Sequence, residues 1–257
     1  MKWTIAQVEK ELAAIKDPSH PFFTELVSDE RKGVQMLLTR WQKEWTKAQQ
    51  LQAKFSEMNH FEAKYRKEGF RSIAGIDEVG RGPLAGPVVA AAVILPEDFY
   101  LPGIDDSKKL TEHKREEYAS IIRKEADAVS VSFIEPAVID SINIYEATKK
   151  AMSAAIASLK LRPDFLLIDA MKLDTPYPFE SIIKGDAKSV SIAAASIVAK
   201  VERDHFMKQL SNQYPAYGFQ QNMGYGTKEH LHAIRSYGVT PHHRKSFAPI
   251  KDLYIKE

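Results

Sequence analysis

Apolar positions follow two different rhythms along the chain. Through residue 70 they recur every three or four residues, the spacing of amphipathic helices. Ile5, Val8, Leu12 and Ile15 form one such stripe behind Thr4-Ile5-Ala6-Gln7, which has the form of a capping box, and Asp17-Pro18 ends it. A longer helix is expected from about Ser28 or Asp29, its stripe running Val34, Leu37, Leu38, Trp41, Trp45, Ala48, Leu51, Phe55, Met58 and Phe61. Between Arg31 and Lys54 it carries the cations Arg31, Lys32, Arg40, Lys43, Lys47 and Lys54 against a single acid, Glu44. A basic helix with aromatics suits nucleic acid. It equally suits tryptophans packed inward beneath a solvated lysine face, and the two readings use different faces. Glu68-Gly69-Phe70 marks the junction, giving a helical extension over 1–70 and a second domain over 71–257.

From residue 71 the rhythm changes to short apolar runs alternating with helical stretches. Strands are expected at Ser72–Asp77, Val88–Leu95, Ala128–Ile134, Phe165–Asp169 and Ser181–Lys184, and helices at Thr111–Glu125, Pro136–Lys160 and Val190–Gln213. A short Gly/Pro turn between the first two strands suits an antiparallel pair. A helix between Ile134 and Phe165 suits a parallel crossover. The pattern is that of an α/β domain, a mixed sheet flanked by helices.

Chemistry enters where the first strand is interrupted. Asp77 and Glu78 follow Ile73-Ala74-Gly75-Ile76 directly, and burying carboxylates costs several kcal/mol unless something neutralises them. Neighbours in a strand point to opposite faces, so a divalent cation at the strand's end is the simplest explanation. Asp169 closes the run Phe165-Leu166-Leu167-Ile168, where α/β folds place their sites. Asp186 follows Lys184-Gly185 and precedes a helix, a position that also suits an ordinary N-cap. Clustered carboxylates without histidine or cysteine ligands select hard cations such as Mg²⁺ or Mn²⁺. Two such ions suit phosphodiester hydrolysis. The glycines at 80, 82 and 86 faintly echo a dinucleotide fingerprint. The last comes one residue late, however, Pro83 precedes a strand-like run, and two carboxylates would repel a pyrophosphate.

Composition narrows the classes. The 257 residues contain no cysteine, which excludes disulfides, thiolate metal sites and cysteine nucleophiles. Net charge is +2, so only local clustering can argue for a nucleic-acid partner. No apolar stretch follows Met1-Lys2-Trp3-Thr4, and Leu84–Leu95 is too short to span a bilayer. A soluble, cytoplasmic protein without a membrane partner is expected.

At this point the residues match a family. Ile76-Asp77-Glu78-Val79-Gly80-Arg81-Gly82-Pro83-Leu84 resembles the signature of bacterial type 2 ribonucleases H, ribonuclease HII. So do Asp106-Ser107-Lys108-Lys109-Leu110, Lys184-Gly185-Asp186 and the run from Ala194 to Asp204. Gly224-Tyr225-Gly226-Thr227 and His242-His243-Arg244-Lys245-Ser246-Phe247 extend the likeness to about residue 250.

The resemblance implies a ribonuclease-H-like fold, a five-stranded mixed sheet with helices on both sides. It assigns Asp77, Glu78, Asp169 and Asp186 as four catalytic carboxylates holding two Mg²⁺ or Mn²⁺ ions. The implied substrates are RNA/DNA hybrids and duplex DNA with embedded ribonucleotides, nicked on the 5′ side to leave 3′-hydroxyl and 5′-phosphate ends. Gly80, Arg81 and Gly82 match the loop whose backbone senses a ribose 2′-hydroxyl, and Tyr225 matches the tyrosine that stacks on the neighbouring deoxyribose.

Ser107, Lys108, Lys109, Arg244 and Lys245 are expected at the nucleic acid, the cations on backbone phosphates; taken singly, each cation also fits a solvated surface. His242 and His243 suit contacts to phosphate or structural packing better than chelation of one ion. Asp204, beside Arg203, is either an ion-pair partner or a rival to Asp186. Where many relatives have Gly-Asp-Ser-Arg, this chain has Gly185-Asp186-Ala187-Lys188. The C-terminal Lys251–Glu257 carries no recognisable clamp-binding motif, and a monomer is expected. A binding protein on a degenerate nuclease fold would not need all four carboxylates, and a resolvase of the same fold would not need the Gly-Arg-Gly loop with Tyr225.

Overall fold

In the computed structural model, residues 3–254 are described; the extreme ends of the leader and clamp-motif readings, Met1-Lys2 and Ile255–Glu257, lie outside the described residues. The chain divides into two compact units, 1–56 and 57–257.

The first unit is helical. Helix α1 (Ile5–Ala14) starts with the expected capping box, Thr4 and Gln7 satisfying each other's backbone. Helix α2 (Pro21–Val27), with Pro21 at its first turn and His20 as cap, occupies a stretch the apolar rhythm left unassigned. Helix α3 (Lys32–Met58) follows. Val8, Leu12, Phe23, Leu26, Val34 and Leu38 form the core of this unit. Trp41 packs inward on Phe23, with centroids 4.6 Å apart, and its Nε1 donates to the Ile15 carbonyl. Two of the cations expected along this helix are paired, Arg31 just before it with Asp29 at 2.6 Å and Arg40 within it with Glu9 at 2.7 Å.

The second unit is a five-stranded mixed sheet. Strands β1 (Ile73–Val79), β2 (Val88–Ile94), β3 (Ala128–Ile134), β4 (Phe165–Asp169) and β5 (Phe179–Ile182) are ordered β3-β2-β1-β4-β5. β1 and β2 are antiparallel, as the short turn requires, and β4 lies parallel to both β1 and β5. The crossover from β3 to β4 therefore passes over two strands instead of joining neighbours. Helix α5 (Glu112–Glu125) precedes β3. The helix expected over Pro136–Lys160 is two, α6 (Pro136–Ile142) and α7 (Ile144–Ala157): Asn143 takes φ 68° and its side chain caps α7 through the Tyr145 and Glu146 amides. β5 begins two residues before the expected Ser181, since Phe179 and Glu180 pair with β4.

Helix α7 covers one sheet face, against Ala74, Ile76, Val88, Ala90 and Leu166. Helix α8 (Val190–Gln213) covers the other, and its first ten residues are buried. The approach is close: a Cβ at Gly75 would stand 2.1 Å from the Ser191 carbonyl carbon. A third cluster is built from Leu84, Met207, Tyr217 and Phe219 with helix α10 (Lys228–Tyr237), after the short α9 (Phe219–Asn222). A last helix, α11, spans Ile250–Tyr254.

The two compact units divide at 56/57, one helix before the sequence junction at Glu68–Phe70. Helix α4 (His60–Lys67) belongs to the sheet unit: the Tyr65 ring stacks on Phe165 at 3.7 Å, and its hydroxyl donates to Glu180. Glu62, 2% exposed, accepts from the Ser189 hydroxyl (2.6 Å) and the Ser191 amide (2.9 Å), the first groups of α8. The negative charge meets the positive end of that helix.

Candidate active site

β1 and β4 are parallel with Ile76 opposite Ile168, so the next position on each strand carries Asp77 and Asp169 to one end of the sheet. Asp77 is 4% exposed and faces α8, where Ser196 hydrogen-bonds to it. Its Oδ1 also accepts from the Glu78 amide at 2.7 Å. Ser196 Oγ lies 3.0 Å from Ser107 Oγ, which ties the buried carboxylate to the Asp106–Leu110 turn. Asp169 Oδ1 accepts from the Gly185 amide at 2.7 Å. This contact fixes the one-turn 3-10 segment Gly185–Ala187 that bears Asp186. A Cβ on Gly185 would meet Ile192 Cδ1 at 2.5 Å, so any larger residue would have to push that side chain aside.

The electrostatics show mutual repulsion. Burial, then Glu78 and Asp169, push the Asp77 carboxyl well above the usual range. Burial also raises Glu78, with Arg81 opposing it from 3.3 Å. Asp169 is raised by burial, and Asp186 by burial, then by Asp106 and Asp169; Lys108 opposes both. In each case burial is the first cause, and Arg81 and Lys108 offset only part of it. Glu78 Oε2 is buried without a hydrogen-bond partner. A donor set made only of oxygens, with one orphaned, fits a hard divalent cation. Among the described residues no three acidic or histidine side chains close into a ready metal cage.

Beside the carboxylates lies the Gly80–Gly82 loop. Gly80 has φ +90°, and a Cβ there would meet Arg203 Nε at 2.2 Å. Arg203, 1% exposed, donates to the carbonyls of Pro87 (3.0 Å), Ala85 (3.1 Å) and Met223 (3.0 Å). The expectation that Arg244 meets phosphate is corrected. It is fully buried, and its guanidinium donates to the carbonyls of Gly80, Arg81 and Gly86. Ser107 is likewise buried against Ser196, away from solvent. Arg81, Gly82, Lys108, Lys109, Tyr225 and Lys245 are exposed, with Lys109 paired to Asp105 at 3.1 Å. The Tyr225 ring lies beside Gly82. Its carbonyl accepts from His230 Nδ1 (2.9 Å), whose Nε2 meets His243 Nε2 at 3.0 Å, while His243 Nδ1 accepts from the Thr240 amide. This chain fixes one neutral tautomer for each ring; burial, then His230, hold His243 down to about 4. Asp204 is an ion-pair partner, 2.7 Å from Lys200 and 3.6 Å from Arg115.

The ribonuclease HII family model matches residues 74–250, and that of the ribonuclease HII N-terminal domain matches 4–66. The chain belongs to the ribonuclease HII family. It is 59% identical over 255 residues to the ribonuclease HII of Bacillus thuringiensis (strain Al Hakam), covering 99% of each. Ribonuclease H2 from Pyrococcus horikoshii OT3 is similar in structure, with TM-score 0.63 and 26% identity over 72% of this chain and 98% of that one. Bst-RNase HIII in complex with Mn²⁺ shares the fold at TM-score 0.55 and 21% identity, over 73% of this chain and 70% of that one. As a ribonuclease HII, the protein is a metal-dependent endoribonuclease.

Three features lie outside the site residues expected from sequence. Asp106 shares a hydrogen bond with Asp186, Ser196 reaches Asp77, and the buried Arg203 holds the Ala85, Pro87 and Met223 carbonyls. All three stand within the motifs that carry the family resemblance. Their roles depend on which backbone atoms they meet, and spacing does not encode that.

Proposed function

We propose that the protein hydrolyses RNA in RNA/DNA hybrids and nicks duplex DNA 5′ of an embedded ribonucleotide, leaving 3′-hydroxyl and 5′-phosphate ends. This would start the excision of misincorporated ribonucleotides in the cytoplasm. Among the described residues no helix is long and apolar enough to cross a membrane.

The supporting observation is the orphaned Glu78 Oε2 among repelling carboxylates beside an exposed Gly82 and Tyr225. Asp77, Glu78, Asp169 and Asp186 are assigned to hold two Mg²⁺ or Mn²⁺ ions. When bound, such ions supply a nucleophilic water at neutral pH and stabilise charge on the phosphate. Lys108 and Arg81, which already offset the carboxylates, draw the substrate backbone towards them. Lys109 and Lys245 contribute phosphate contacts further out. The 2′-hydroxyl is read by the Gly80–Gly82 backbone and is not the nucleophile, which accounts for chemistry without a catalytic histidine pair. The exposed Tyr225 ring stacks on the neighbouring sugar. The enzyme acts as a monomer, with residues 1–70 adding substrate affinity through the basic face of α3.

The test is a labelled DNA duplex containing one ribonucleotide. A nick immediately 5′ of it, dependent on Mg²⁺ or Mn²⁺ and absent from an all-DNA duplex, is expected. Cleavage of the all-DNA duplex would make this a general nuclease instead.

A further inference from the structure

Arg244 and Arg203 are among the largest fully buried side chains, and their hydrogen bonds among the described residues go to main-chain carbonyls. Two such cations are retained in a protein interior only where their donors are fully used. The Arg244 fork spends its donors on one short stretch of main chain. Nη1 donates to the Arg81 carbonyl at 2.9 Å, Nη2 to the Gly80 carbonyl, and Nε and Nη2 to the Gly86 carbonyl at 3.0 and 2.9 Å. In a planar trans peptide the C=O and N–H point to opposite sides. Drawing the Gly80 carbonyl inward therefore turns the Arg81 N–H outward, and drawing the Arg81 carbonyl inward does the same for the Gly82 N–H. Arg81 and Gly82 are exposed, and neither amide has a protein acceptor among the described residues. The two outward amides stand between Glu78, which Arg81 contacts, and the Tyr225 ring beside Gly82.

We infer that Arg244 is a positioning residue for sugar discrimination, holding the Arg81 and Gly82 amides in the one orientation that donates to a ribose 2′-oxygen. This rests on the reading above that the Gly80–Gly82 loop senses the 2′-hydroxyl. A hydroxyl oxygen accepts such donors and a deoxyribose offers none. Arg244 never touches substrate. Lysine in its place keeps the charge and the stem but loses the planar fork.

The experiment measures binding in Mg²⁺ of a duplex with one ribonucleotide and of the same all-DNA duplex, in the Asp77→Asn protein with and without Arg244→Lys. With Arg244 present, the ribonucleotide duplex binds more tightly. Arg244→Lys is expected to reduce that preference at least about ten-fold, the loss of two hydrogen bonds, with all-DNA affinity unchanged. An undiminished preference, or an equal loss on both duplexes, would overturn the inference. No preference even with Arg244 present would overturn the loop's assigned role, and the inference with it. Should Arg244→Lys not fold, amide NMR of the Asp77→Asn protein decides: the Arg81 and Gly82 protons move downfield with the ribonucleotide duplex and not with all-DNA. Equal shifts with both would overturn the inference.

Discussion

At the end of β1 the buried Oε2 of Glu78 has no partner, whereas a few residues later the carbonyls of Gly80, Arg81 and Gly86 are all held by one buried guanidinium. The carboxylates are close enough to raise one another's proton affinity. The loop beside them is bound from below by Arg203, Arg244 and, through Tyr225, a relay of two neutral histidines. Adjacent stretches of chain thus follow opposite rules. A group meant to take up cations and phosphate is left unsatisfied. A group meant to discriminate between sugars differing by one hydroxyl is over-determined, because a mobile amide would donate to water as readily as to substrate.

Breaking the acidic side should have the largest effect. Asp77→Asn is expected to lower cleavage at least about 1000-fold while leaving duplex binding measurable. Single-turnover cleavage checks this, and near-normal activity would remove Asp77 from the site. Next in size is the choice of truncation. Removing residues 1–56 should leave the sheet unit folded with weaker, less salt-sensitive duplex binding. Removing 1–70 also strips Tyr65 from Phe165 and Glu62 from the start of α8, and should abolish cooperative unfolding. Similar melting of the two truncations would show that α4 is dispensable.

The pH dependence of metal-free stability sharpens the comparison, because the two regions have opposite signs. Carboxyls whose folded affinity for protons is raised contribute stability at low pH that is lost as pH rises through those raised values. His243 and His230, held low, contribute stability that is lost as pH falls towards about 4. Metal-free protein should therefore melt highest at mildly acidic pH. Asp169→Asn should lessen the loss on the alkaline side. Melting curves without metal check this, and a wild-type profile flat from pH 5 to 8 would contradict it.

Smaller still is Glu62→Ala, expected to cost about 1–3 kcal/mol by leaving the Ser189 and Ser191 donors unpaired. A cavity of about 10 Å³ beside Glu62, room for one water, limits the loss if solvent replaces the carboxylate. Chemical denaturation reads it, and an unchanged midpoint would mean that Glu62 contributes nothing to holding α8. The smallest expected effect is an absence: His243 ring signals should show no titration between pH 8 and 5.

Much of this was legible in the sequence. Alternating short apolar runs gave the five strands nearly in place, and three strand-terminal acids gave the acidic end, because strand register converts sequence position directly into location. Helix α2 was hidden, since its His20 and Pro21 start lacks the usual cap residues. The break at Asn143 was hidden because the helical period runs on across it. Arg244 was misread as a phosphate contact for a physical reason as well. An arginine in a polar run looks solvated, and only the folded backbone shows three inward carbonyls waiting for it. Histidines 230 and 243 pair across thirteen positions, a contact that no local spacing announces.

The contrast between the two regions is most directly tested by calorimetric titration of Mn²⁺ into metal-free protein near pH 6.5, repeated in buffers of different ionisation enthalpy. A cation favours the ionised form of carboxyls whose proton affinity burial has raised, so net proton release is expected with the wild type and is reduced or lost with Asp77→Asn. Binding without proton release, unaltered by Asp77→Asn, would contradict the placement of the cation at these carboxylates.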